Sequence, residues 1–285
     1  MNEFQSTPPP VLRVESLSKT YEGALAVDAL SFDVRPGEIL GLVGPNGAGK
    51  TTTLRSIVGI LPVKQGRVLV CGYDVMLHEA EAKRCLYWVP DDPQPFDALT
   101  VWEHLEFTAA LYDVRDWKER AEELLQRFEL VEKRDALGGE LSRGMRQKLA
   151  FACGWLTRPR LVLLDEPLTG LDPRGIRSAK RAIAEVAAEG SSVILSSHLL
   201  EMIEELASRI LILDRGHKVF DGTLAEARSS IAGVEGGSLE EIFLKVTDGS
   251  LPAGRTSMQG GAPSGAPGRA RPEGGDWSGG GAGSP

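Results

Sequence analysis

The chain has 285 residues, 42% of them hydrophobic and 25% charged, a balance typical of globular domains rather than of a fibre or a coiled coil. Asp and Glu total 40 against 32 Lys and Arg, giving a formal net charge of -8, which disfavours nucleic acid or an anionic lipid surface as the main partner. Any bound anion must be held by a local site, and Cys71, Cys85 and Cys153, dispersed and without a C-x-x-C pair, read as reduced thiols rather than a disulfide or metal framework.

The first ten residues, MNEFQSTPPP, read as a flexible leader, because an acidic residue stands where a signal peptide carries positive charge and no apolar stretch follows. From Val11 to about Thr247, short β-branched or Leu-rich runs alternate with helical patterns, which predicts an α/β domain on a largely parallel sheet. Strands are predicted at 11–16, 28–34, 38–43, 67–71 and 86–89, and again at 161–165, 192–196 and 209–213. Between Leu99 and Glu140 the strand signal disappears. VWEHLEFTAALY and DWKERAEELLQRFEL place apolar residues three and four apart, so a helical insertion is expected over about 92–158. Residues 248–285 turn abruptly to Gly, Ser, Pro and Ala and are expected to form a disordered tail with Trp277 exposed. No run approaches the ~20 consecutive apolar residues needed to cross a bilayer, so any membrane role must run through a partner.

Residues 44–52, GPNGAGKTT, match G-x-x-x-x-G-K-[ST] between a strand pattern, EILGLV, and a helical one, TTTLRSIVGIL. Gly44, Gly47 and Gly49 let the backbone turn tightly and bring N–H groups against phosphate oxygens, with Pro45, Asn46 and Ala48 completing the loop. Lys50 supplies a point charge for the β- and γ-phosphates of a nucleotide, the Thr51 hydroxyl suits Mg²⁺, and Thr52 continues the helix start. A second acidic element, LVLLDEP at 161–167, puts Asp165 and Glu166 at the carboxyl edge of the sheet. Asp165 is suited to holding Mg²⁺ through water, and Glu166 to polarising a water for attack on the γ-phosphate.

With these in place, ELSRGMRQKL at 140–149 resembles the signature sequence of the ATP-binding subunits of ABC transporters. LTGLD at 168–172 resembles their D-loop, and ILSSHLLEMIEELASRILILDRG at 194–216 resembles their switch-histidine segment. The resemblance covers roughly residues 11–247 and implies a P-loop NTPase (RecA-like) core with an antiparallel β subdomain and an inserted α-helical subdomain. It further implies a homo- or heterodimer in which two subunits sandwich two ATP molecules head to tail. The phosphate loop of one subunit would face Ser142 and Gly144 of the other, which are retained, whereas Arg143 replaces the first glycine and Met145 the glutamine of the commoner LSGGQ form. By the same resemblance His198 bonds the γ-phosphate and keeps Glu166 and the water in line, and Asp172 organises the dimer interface. Tyr21 would stack on adenine with little discrimination between ATP and GTP; read alone it is equally a half-buried strand-end aromatic. His78, His104 and His217 lack such a context and are expected at the surface.

One departure concerns the metal. Where the family usually carries a glutamine after a strand, LYWVPDDPQPFDALTV at 86–101 has Asp91, which is shorter and acceptor-only. Asp91 is expected on the metal side with Thr51 and Asp165, although Gln94 is nearby and DDP also reads as a polar turn. The functional expectation is an ATPase that powers transport through a separate integral membrane permease subunit, bound peripherally at the cytoplasmic face of the cell membrane. SRGMRQ and the SLEEIF segment resemble those of export subunits, a resemblance that implies export. The alternatives are a soluble ABC-type ATPase acting on ribosomes or DNA, and a catalytically degenerate ATP sensor. The first fits worse because there is one uninterrupted cassette with no basic tract, the second because Lys50, Asp165, Glu166 and His198 are intact.

Overall fold

The computed structural model describes residues 8–21, 24–230 and 238–247; most of the expected leader and the whole expected tail with Trp277 lie outside the described residues. In chain order the first half contains β1 (Leu12–Tyr21), β2 (Ala24–Val34), β3 (Ile39–Val43), α1 (Lys50–Ile57), β4 (Gln65–Val70), β5 (Tyr73–Asp74), α2 (Glu79–Arg84) and β6 (Leu86–Val89). Helices α3 (Val101–Leu111), α4 (Trp117–Arg127) and α5 (Arg143–Leu156) follow, with short 3-10 turns between the last two. The remainder is β7 (Leu161–Asp165), α6 (Pro173–Ala188), β8 (Ser192–Ser196), α7 (Leu200–Leu206), β9 (Arg209–Asp214), β10 (His217–Gly222), α8 (Leu224–Ser230) and α9 (Leu239–Thr247).

The larger sheet runs β10-β9-β3-β8-β7-β6 and is parallel except for β10. Every residue of β3, β7 and β8 is buried, as unbroken aliphatic runs require when both faces of a sheet are covered. Alternate side chains serve two cores. Val162, Leu164, Val193 and Leu195 pack with the helical layer, whereas Leu161, Leu163 and Ile194 pack with α1 and the smaller antiparallel sheet, β2-β1-β4-β5. Each such aliphatic side chain contributes roughly 1.5–3 kcal/mol. Arg209 ties the two sheets together, donating to the Asp33 carbonyl at 3.0 Å while pairing with Glu38 and Asp221.

Between β6 and β7 the described elements are all helical. The first of them is set by a capping box: Thr100 Oγ1 accepts from Glu103 N at 3.1 Å, and the Glu103 carboxylate accepts from Thr100 N at 2.7 Å. Inside this layer Phe128 stacks on Phe151, and Trp155 meets Phe151 edge to face with centroids 5.4 Å apart. Two strands escape the sequence pattern. β5 is two residues long, and β10, an edge strand with half its residues exposed, has no apolar run to mark it.

The expectation that His104 lies at the surface is wrong. Its ring is buried, with Nδ1 2.7 Å from the Thr100 carbonyl and Nε2 accepting from Phe96 N–H at 2.9 Å. Because a carbonyl only accepts, Nδ1 carries the proton, and the imidazole pins the loop before α3 to that helix's first turn. His104→Ala orphans both partners and is expected to cost about 1–3 kcal/mol, read by urea unfolding; a loss under about 0.5 kcal/mol would contradict the role.

The cysteines are free, and Cys71 and Cys85, separate in sequence, lie close enough to interact. Burial, then a hydrogen bond donated by its thiol to Cys85, pushes Cys71 up to about 12, and burial pushes Cys153 up to about 11 against hydrogen bonding with Thr108. Among the described residues no helix is long and apolar enough to cross a membrane.

Candidate functional site

The order β3-β8-β7-β6 brings the loops after four parallel strands to one carboxyl edge, where open α/β sheets bind ligands. The loop after β3 is shaped by exclusion. A Cβ on Gly44 would lie 2.4 Å from the Leu213 carbonyl oxygen, and one on Gly49, at φ 104, would lie 2.6 Å from that of Ala26. Only glycine passes at these two positions, which lets the loop backbone approach a ligand closely. Asn46 and Gly47 are exposed, Pro45 is partly so, and Ala48 is buried. α1 begins at Lys50 without a side-chain cap, so its first N–H groups and its dipole favour an anion.

Lys50 is buried, and its ammonium donates to the carbonyls of Gly44 at 2.7 Å and Pro45 at 3.2 Å. Burial lowers its pKa, while the carboxylates of Glu166 and Asp165 pull it back up. Thr51 Oγ1 sits 3.4 Å from Asp165 Oδ1, and Thr52 lies partly buried on the next position of the helix. The Asp165 carboxyl is raised above its ordinary value, chiefly by burial, against the Thr51 hydroxyl; the negative charges of Glu166 and Asp91 add to the rise.

Glu166 follows β7 with φ 47, left-handed for a side chain that rarely adopts it, at a cost of about 1–3 kcal/mol. Its N–H donates to the Ser196 carbonyl at 2.9 Å, continuing the β7–β8 ladder by one step. Its Oε2 accepts from His198 Nδ1 at 2.7 Å, from His198 N at 3.2 Å and from Ser197 Oγ at 3.3 Å. The sequence reading paired Glu166 with His198 but passed over Ser197, whose signal was its place directly before the histidine in SSH.

The expected signature and D-loop lie together within this one chain. Ser142 caps α5, its Oγ accepting from Met145 N at 3.3 Å, and Met145 packs against the helical core. A Cβ on Gly144 would lie 2.7 Å from the Gly170 carbonyl oxygen, so the start of α5 rests directly on the LTGLD turn. Asp172 caps α6, accepting from Gly175 N at 3.0 Å. Tyr21 is 42% exposed at the end of the β1–β2 hairpin, with the Lys19 ammonium 5.7 Å from its ring. The same β2 lays Ala26 against Gly49.

Asp91 departs from expectation in its partner. Arg143 donates to its Oδ1 at 3.0 Å, so of the three oxygens expected at the metal, Thr51 and Asp165 sit together while Asp91 is ion-paired. Among the described residues no cluster of three or more His, Cys, Asp or Glu side chains could hold a metal ion. A hard cation here would need the Thr51 hydroxyl and phosphate oxygens besides Asp165, which is the usual company of Mg²⁺.

Residues 27–169 match the family model described as ABC transporter. The chain belongs to the ABC transporter family. It is an ATP-binding and ATP-hydrolysing subunit of that family. The ABC-type transporter ATP-binding protein EcsA of Bacillus subtilis is 32% identical over 240 residues, 83% of this chain and 96% of that protein. The lipopolysaccharide export system ATP-binding protein LptB of Escherichia coli is 34% identical over 223 residues, 75% of this chain and 91% of that protein. A solved structure described as the ATP-binding subunit of an ABC transporter superposes with a TM-score of 0.80 at 32% identity, covering 83% of this chain and 99% of that one. The ABC cassette therefore has the P-loop α/β architecture that its motifs imply.

Proposed function

We propose that this ABC subunit is half of a composite ATPase, completed head to tail by a second ATP-binding subunit, and that it drives an exporter through a separate integral membrane permease. The observation that carries this reading is the Glu166 carboxylate, held at 2.7 Å by His198 one strand away from the buried Lys50 and Asp165. Gly44–Thr52 with Lys50 cradle the phosphates of ATP, and Tyr21 offers a ring face to the adenine. Thr51 and Asp165 would hold Mg²⁺, which when bound neutralises phosphate charge, while Asp91 stays paired with Arg143. Glu166 takes a proton from the attacking water. His198, while fixing that carboxylate, presents its exposed ring toward the γ-phosphate. Ser142, Arg143, Gly144 and Met145, at the start of α5, and Asp172 face the ATP held by the opposite subunit.

Coupling to a permease is supported by an apolar groove beside the site, lined by Tyr87, Trp88, Pro95, Phe96, Phe107 and Leu111. Phe96, Phe107 and Leu111 are exposed there, as a surface awaiting a partner would have them. The likeness to a lipopolysaccharide export subunit supports export, and a net charge of -8 argues against a nucleic-acid partner. The subunit would then work at the cytoplasmic face of the membrane. Tagged Glu166→Gln, isolated with Mg-ATP from detergent-solubilised membranes of its own cells, is expected to bring down an integral membrane protein. Recovery only with ribosomes, or only as free soluble protein, would contradict this.

A further inference from the structure

Two positions depart from the commoner pattern of the family, Asp91 after β6 and Arg143 at the start of α5, and they meet across 52 residues of sequence. Arg143 Nη2 donates to Asp91 Oδ1 at 3.0 Å. One helical turn on, Arg146 Nη2 lies 3.5 Å from Asp92 Oδ1, and the other Asp92 oxygen accepts from Gln94 Nε2 at 2.7 Å. Consecutive aspartates of one loop thus face arginines three apart on one helix, in two parallel rungs. Arg143 also reaches a third element. Its stem lies against Gly170, at φ 80 in the LTGLD turn, where a Cβ would come within 3.1 Å of Arg143 Cδ. Neither residue suits its place alone. An unpaired aspartate would add negative charge beside Asp165 where phosphates must bind, and an unpaired arginine would be a loose cation on the first turn of a helix.

We propose that Asp91 and Arg143 are a matched pair of positioning residues: the pair fixes the loop after β6 to the first turn of the signature helix. The loop beside a subunit's own ATP and the signature facing its neighbour's ATP then move as one body. Both side chains are about half exposed, so the pair contributes geometry more than stability. This inference rests on the composite-dimer reading for its consequence but not for its existence.

The test is a double-mutant cycle in the Glu166→Gln background with Asp91→Ala, Arg143→Ala and the double variant, and with Arg143→Lys as the conservative replacement. The first readout, amide hydrogen exchange without nucleotide, is expected to show Arg143→Ala speeding exchange at the amides of Asp91, Asp92, Gln94 and Phe96, on a different element, by about two- to fivefold. Asp91→Ala should do the same in residues 143–146, the double variant should add nothing further, and Arg143→Lys should largely restore protection. The second readout, the ATP concentration for half-maximal dimer, is expected to rise about two- to fivefold in each single variant and no further in the double. Unchanged exchange at those loop amides in Arg143→Ala, or additive effects in the double variant, would overturn the pair. If the parent stays monomeric at saturating ATP, the composite reading fails, and the pair is then decided by the exchange data alone.

Discussion

Glu166→Gln is expected to lower Mg-ATP turnover at least about a hundredfold while leaving ATP binding within a factor of about two. The hydrogen bonds to this carboxylate from His198 and Ser197 all fall on Oε2, which leaves Oε1 to accept a proton from water. Glutamine keeps the length, the volume and an acceptor for His198, but an amide cannot take up the proton. The left-handed backbone at this position, φ 47, is unaltered by the exchange, so the variant isolates proton transfer from folding. The check is steady-state phosphate release alongside equilibrium binding of a fluorescent ATP. A fall of less than about tenfold would move the base elsewhere.

Asp165→Asn is expected to abolish magnesium-dependent turnover and, at the same time, to raise the thermal midpoint of the chain without nucleotide at neutral pH. Burial raises the Asp165 carboxyl, and the negative charges of Glu166 and Asp91 reinforce it, so the ionised form is disfavoured in the fold relative to the unfolded chain. For a raised acid the folded state binds more protons between the unfolded and folded pKa values, so stability falls as pH climbs through that window. The cost is complete above the folded value and absent below the ordinary aspartate range. Asparagine carries no such cost and still accepts from Thr51, so its advantage should shrink as pH is lowered toward 4, near the ordinary aspartate value. Calorimetry across pH decides this; a variant less stable than wild type at neutral pH would mean that the carboxylate is a structural anchor. Stability sacrificed at a site that must receive a cation is the usual signature of function.

How much of this was legible depended on whether the chemistry was contiguous. Gly44 to Thr52 carry the whole phosphate loop in nine consecutive residues, and the buried strands β3, β7 and β8 are unbroken aliphatic runs, so both could be read directly. Glu166 and His198 stand 32 residues apart, and only the family order of motifs joined them before the register of β7 on β8 did. Ser197 was missed because a serine beside a histidine has no pattern of its own. His104 was misplaced because a polar residue at one helical position carries no sign of the loop that folds over it; its burial comes from the Phe96 amide, eight residues upstream. The Asp91–Arg143 pair was visible only as two separate oddities. No periodicity links a loop after β6 to the first turn of α5, and the contact arises from tertiary packing alone.

The central claim is that this chain supplies half of a shared ATP site, with its phosphate loop and its signature serving different nucleotides. The most direct measurement is the sedimentation of Glu166→Gln with and without Mg-ATP. This variant is expected to be a monomer without nucleotide and a dimer at saturating ATP that dissolves when Ser142 is also replaced by arginine. A monomer at saturating ATP, with binding independently confirmed, would contradict it.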